Sequence, residues 1–141
     1  MRFTECVNVV GEPLRVSASA FNDAGQMPSV DRELLRSNPE DSKLSVTDGI
    51  IKLCTLKVRN IDFISVDATR PNDKYAFDVI ARPLSENDAP PSGNPAHAQI
   101  EPSPTYSNKS RFKKLKEALA QIADVEGWVI KPTQAANSSE L

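Results

Sequence analysis

The sequence predicts an α+β fold, a mixed or antiparallel sheet of about five to six short strands covered by a long C-terminal helix and one or two short helices. Three observations carry this prediction. Apolar residues alternate with polar ones at Leu14, Val16, Ala18 and Ala20, and again at Tyr75, Phe77, Val79 and Ala81, which is the period of a strand with one wet face. Phe112, Leu115, Leu119 and Ile122 recur at spacings of three, four and three, so they share one side of a helix. Eleven prolines against five glycines imply stiff connections between short elements.

The 141 residues suit one domain with a core large enough to need neither disulfide nor metal. That domain is expected over residues 1–132, followed by a polar, disordered tail over 133–141. A net charge of −2 and a pI near 5.4 give no global positive field for nucleic acid or acidic lipid, so such binding would have to be local. No apolar run approaches the roughly 18 residues of a membrane span, and the first residues lack a signal peptide's apolar core. A cytoplasmic protein without membrane contact is expected. Cys6 and Cys54 lie in apolar stretches and read as reduced, structural thiols.

Along the chain, residues 3–10 and 14–21 read as two strands around Gly11, Glu12 and Pro13. Residues 30–36 read as a short helix capped by Ser29, and Asn38 with Pro39 starts a second. The β-branched stretch 50–58 reads as a strand. Residues 61–66 and 75–82 read as a hairpin whose loop holds Arg70, Pro71, Asn72 and Asp73. Residues 83–95, with four prolines, form an exposed crossing loop. A strand over 96–101 precedes the long helix, 109–125, which Gly127 ends. Trp128, Val129 and Ile130 then form a short strand closing the core beneath that helix.

Three groups of residues carry candidate chemistry. His97, the one histidine, stands where the proline-rich loop enters a strand, a common place for an acid/base residue. With no Ser, Cys or carboxylate at a diagnostic spacing, it reads first as a hydrogen-bonded structural residue. Asp31 and Arg32 offer an acid and a planar fork for a carboxylate or phosphate, or else pair within the fold. Lys109, Arg111, Lys113, Lys114 and Lys116 crowd the first turns of the long helix, where the helix dipole disfavours cations. They form either a local edge for an anion, nucleic acid or partner, or a solvated face partly offset by Glu117. Glycine-rich phosphate loops, paired-cysteine metal spacings, nucleophile elbows and helical histidine pairs do not occur, so no cofactor or metal is expected.

Three short pieces carry a resemblance: Ser19, Ala20, Phe21; then Ser29, Val30, Asp31, Arg32; then Asn94, Pro95, Ala96, His97, Ala98 with Ile100. In their order and rough spacing the chain resembles a widespread group of small, uncharacterised bacterial proteins over about residues 14–130. The resemblance brings no activity with it. It implies a bacterial or phage-borne accessory protein in which Arg32 and His97 belong to recurring motifs. The leading expectation is a non-catalytic interaction module, of accessory, immunity or antitoxin type, with a protein partner. The alternatives are a small enzyme or anion-binding protein using His97, Asp31 and Arg32, and nucleic-acid binding through the basic helix edge.

Overall fold

The computed structural model describes residues 1–62, 65–67, 70–90, 92–106 and 109–134, with backbone alone for 65–67 and 70–74. Residues 135–141, where most of the expected tail falls, and part of the expected strand 61–66 lie outside the described residues.

In chain order the elements are β1 (Cys6–Val7), β2 (Arg15–Val16), β3 (Ser29–Asp31), β4 (Ile50–Ile51) and helix α1 (Thr55–Arg59). They continue with β5 (Ser65–Asp67), β6 (Arg70–Lys74), β7 (Ala76–Ala81), β8 (His97–Ser103), helix α2 (Lys109–Glu126) and β9 (Trp128–Ile130). The chain is α+β, and among the described residues every strand pairing is antiparallel. Among the described residues the strands divide into a three-stranded sheet, β3-β8-β7, and three two-stranded pairs, β1-β2, β4-β9 and β5-β6.

Several local expectations change. Residues 3–5, read as strand, form a 3-10 turn and only Cys6–Val7 pairs; the helix expected from Asn38 is the 3-10 turn Pro39–Ser42; and instead of one hairpin of 61–66 with 75–82, β5 pairs β6 and β7 pairs β8. The alternating stretch after Val16 leaves the strand for a 3-10 turn, Ala18–Phe21, because the Ser17 hydroxyl accepts the Ser19 backbone N–H. A short polar side chain competes there with ladder bonding. Residues 29–31 join the sheet as β3 instead of opening a helix, since β8 offers a partner strand. Only a 3-10 turn, Glu33–Leu35, follows. The β-branched stretch yields two strand residues and then α1, in which Val58 is fully buried. Burial there outweighs the modest helix penalty of a β-branched side chain. The expected loop over 70–73 is the strand β6.

The long helix matches its prediction to within a residue. Phe112, Leu115 and Leu119 are buried, Ile122 is half-buried, and Ala118, Ala120 and Ala123 complete the covered side. The stripe forms one cluster with Phe77 and Ile100 from the inner face of the sheet, with Val58 of α1, and with Val16 and Phe21. Gly127, at φ +80, ends the helix and donates its N–H to Ala123 O at 2.9 Å. Two bonds then fasten this end to the β1-β2 pair: Asp124 Oδ1 accepts the Val16 N–H at 2.8 Å, and Trp128 Nε1 donates to Leu14 O at 3.1 Å.

Candidate functional site

The three-stranded sheet decides which motif residues meet. Ala98 and Ile100 of β8 are buried, so His97, Gln99 and Glu101 turn to the other face. Register places Asp31 opposite His97, Ser29 and Ile80 opposite Gln99, and Asp78 opposite Glu101. Directly opposed residues share a face, with Cα atoms about 4.5–5.5 Å apart. Asp31 and His97, separate in sequence, are therefore neighbours on one wet sheet face. Ion pairs lace its far side: Arg82 grips Glu101 through two bonds of 2.7 and 2.8 Å, and Arg59 Nε meets Asp78 Oδ1 at 2.7 Å. The Arg82 guanidinium holds the Glu101 carboxyl below its usual range, and Arg59 does the same for Asp78.

Asp31 is the junction of this region. Its Oδ1 accepts from Asn94 Nδ2 at 2.8 Å, and its Oδ2 accepts from Ser42 Oγ at 2.7 Å and Arg36 Nε at 3.0 Å. Burial pushes the carboxyl up, but the bonds from Ser42, Asn94 and Arg36 outweigh it and hold the group below the ordinary aspartate value. Both oxygens are thus committed to donors inside the fold.

Arg32 is likewise used internally. Its backbone N–H donates to Ala96 O at 2.9 Å, and its guanidinium donates to Pro95 O at 2.7 Å and Ala96 O at 3.5 Å. The fork that the sequence offers to an anion clasps the main chain of the Asn94–His97 turn. Asn94 Oδ1 also accepts the Ala96 N–H at 3.1 Å, and Asn94 exchanges both backbone bonds with Leu84 at 2.9 Å.

His97 does not bond to Asp31. Its Nδ1 lies 2.7 Å from Arg82 O, and a carbonyl only accepts, so Nδ1 carries the hydrogen and Nε2 is the acceptor of the neutral ring. The Arg82 carbonyl, not a carboxylate, therefore orients the imidazole. Sequence motifs indicated Asp31, Arg32, Asn94 and His97; they gave no sign of Arg36, Ser42 or Arg82, whose roles depend on how the chain folds back.

Comparison with protein-family models, curated proteins and solved structures returned no match.

Gly93 is required at the entrance to this turn. It sits at φ +75, and a Cβ there would lie 2.6 Å from Leu84 O and 3.0 Å from Ser85 C. Gly93→Ala is expected to cost about 2–3 kcal/mol, from left-handed strain plus a backbone clash. Gly11, at φ +86 with nothing within 4 Å of its Cβ position, supplies the control, with about 1 kcal/mol expected for Gly11→Ala. Chemical denaturation of both variants checks the ranking, and equal losses would deny Gly93 its packing role.

The basic edge of α2 divides. At 100° per residue, Lys109, Lys113 and Lys116 share one side, while Arg111 and Lys114 diverge. Lys116 Nζ donates to Asn22 Oδ1 at 2.7 Å and lies 4.9 Å from the centre of the Phe112 ring. Lys109, Lys116, Phe112, Asn22 and Gln26 line a shallow cavity of about 460 Å³. Arg111 is half-buried, its Nε without a hydrogen-bond partner, whereas Lys109, Lys113 and Lys114 are exposed. Both cysteines are free; Cys6 is half-buried, but Cys54 is exposed and does not serve as the small core hydrophobe expected of it. No group of three or more metal-ligating side chains occurs among the described residues.

A second consequence of the Asp31 junction lies in residues 33–46. Arg36 and Ser42 both bond the same Asp31 oxygen, so residues 36–42 form a loop closed at its base. The Asn38 side chain accepts the Glu40 N–H and starts the 3-10 turn Pro39–Ser42 within it, a cap legible in the sequence. On one flank stand Leu34 at 99% exposure and Leu35 at 50%; on the other stand Leu44 at 99% and Val46 at 91%. Four large apolar side chains thus project into water beside a base held by charge-assisted bonds.

Proposed function

We propose that the chain is a non-catalytic protein-interaction module, an accessory, immunity or antitoxin-like component of a bacterial conflict or mobile-element system, and that residues 33–46 form its docking surface. The observation that carries the reading is the display of Leu34 and Leu44, each 99% exposed, on either flank of a loop pinned to Asp31. Large apolar side chains exposed to water are surface that a partner can cover, which removes unfavourable contact with water. A pinned base also lowers the ordering cost of association.

The internal use of Asp31 and Arg32 favours this reading over acid/base or anion chemistry. Asp31 holds Ser42, Asn94 and Arg36 and makes no bond to His97, and Arg32 spends its bonds on the Pro95 and Ala96 carbonyls, so both side chains have a structural use within the fold. The resemblance to a group of small, uncharacterised bacterial proteins is what implies a bacterial or phage-borne accessory setting.

The test is a quantitative pull-down from the native host with wild type and with the Leu34→Ser, Leu44→Ser, Val46→Ser triple variant. Wild type is expected to recover a stoichiometric partner, and the triple variant to lose it while melting within a few degrees of wild type, since exposed substitutions change stability by only about 0.5 kcal/mol. Recovery of the same partner by both proteins would sink the assignment of the surface. Absence of any partner, with a monomeric protein in solution, would sink the module reading itself.

A further inference from the structure

We propose that the cavity between residues 22–26 and the first turns of α2 binds the phosphate group of a small phosphomonoester. This site goes beyond the interaction-module reading, and none of residues 33–46 lines it. Two separate observations meet there. The first is charge without an internal partner. Residues 109–117 carry five cations and, as their one anion, Glu117. Among the described residues Lys109, Lys113, Lys114 and Lys116 pair with no carboxylate. Cations in the first turns of a helix oppose its dipole, so helix stability does not account for them. The second observation is the cavity itself, about 460 Å³, a size that suits a small ligand. Lys109 and Lys116 line it from α2, and Asn22 and Gln26 line it from the facing turn.

Donors dominate this lining. Lys116 gives one of its three protons to Asn22 Oδ1 at 2.7 Å, and the Phe112 ring, 4.9 Å from Nζ, holds the ammonium from the core side. Because Asn22 accepts through Oδ1, its amide N–H groups stay available. Among the described residues the side chains of Lys109 and Gln26 make no hydrogen bond. Asp23 also lines the cavity, with its Oδ2 accepting the Met27 N–H at 3.0 Å. Two cations against one anion leave the lining net positive.

The donor types select the anion. No arginine lines the cavity, so it lacks the planar fork that grips a carboxylate in bidentate fashion. Ammonium and amide donors standing on two sides suit the several oxygens and double charge of a phosphate monoester.

Amide-resolved NMR titration of the full chain tests the proposal with inorganic phosphate, glycerol phosphate, glycerol and acetate as probes. Both phosphates are expected to give saturable shifts in residues 22–26 and 109–116, weakening as salt is raised, with glycerol and acetate giving none. The ester should bind at least as tightly as free phosphate; the reverse order would make inorganic phosphate the ligand and overturn the ester assignment. Lys109→Gln with Lys116→Gln should weaken binding about tenfold, for two lost charge contacts. Lys114→Gln, on the diverging side, should change it by less than about twofold. Asp23→Asn, which keeps an acceptor for Met27, should tighten it about threefold, a gain that misfolding cannot mimic. Absence of saturable shifts, an equal response to acetate, or no gain in Asp23→Asn would overturn the site. Equal weakening by Lys114→Gln would show a diffuse basic field and overturn it too. A short DNA duplex that bound more tightly than glycerol phosphate, and lost affinity equally with each lysine removed, would make the occupant nucleic acid and overturn the proposal.

Discussion

Leu119→Ala is expected to cost about 3–4 kcal/mol, within the range for burying a leucine and then leaving a void in its place. Leu119 is fully buried and joins one cluster with Leu115, Phe112, Phe77, Ile100 and Val58. That cluster links α2, α1 and the inner face of the β3-β8-β7 sheet, so a void there loosens three elements together. Neighbouring backbone cannot readily collapse into it, because Gly127 and the Asp124 and Trp128 bonds fix the end of α2 against β2 and Leu14. Val125→Ala on the same helix, at a site 74% exposed, should change stability by no more than about 0.5 kcal/mol. Urea unfolding of the two variants measures the contrast. Similar losses at both positions would mean that α2 does not cover the core as described.

The helix was legible because its signal is local. Phe112, Leu115, Leu119 and Ile122 repeat with the helical period, and Gly127 marks the end without reference to any other part of the chain. The pairing of β8 was less so. A strand beginning near His97 could be read from composition, yet its neighbours β3 and β7 depend on contacts with residues far away in sequence. Residues 29–31 show the limit: Ser29 before Val30 looks like a helix cap, and only the open edge of β8 turns them into a strand. Residues 55–59 fail in the opposite sense, since β-branched Thr55 and Val58 suggest a strand until the buried slot for Val58 is known.

The same division holds at the site. Asp31, Arg32 and His97 were identifiable as motif members, but their roles lie in where their hydrogen bonds go. Arg32 turns inward to carbonyl groups of the Asn94–His97 turn, and His97 is oriented by the Arg82 carbonyl. Leu34, Leu35, Leu44 and Val46 had no surface signature in the sequence. Apolar residues of a short polar segment ordinarily point into a core, whereas here they flank the loop that Arg36 and Ser42 close on Asp31 and stay exposed.

Asp31→Ala should therefore reach beyond its own strand, with an expected loss of about 3 kcal/mol. Removing the carboxylate leaves the Asn94 amide, the Ser42 hydroxyl and the Arg36 guanidinium without their acceptor, and an unpaired, partly buried charge is the costliest of these. Asn94→Ala, which removes one of the three donors, should cost about 1 kcal/mol. The double variant should cost less than the sum, because the two side chains share a bond. The pH dependence has a definite sign. Asp31 titrates below its usual 3.8 in the folded chain, so its stabilisation is complete above the unfolded value of about 3.9 and is lost as pH falls through the lower folded value. Denaturation midpoints at pH 7 and pH 3 should converge between wild type and Asp31→Ala at the acid end. A pH-independent gap would show that the charge of Asp31 contributes nothing to the junction. Partner capture by Asp31→Ala should also fall at pH 7 while the protein remains folded, since residues 36–42 lose the base that closes their loop. Full capture would detach the proposed docking surface from Asp31.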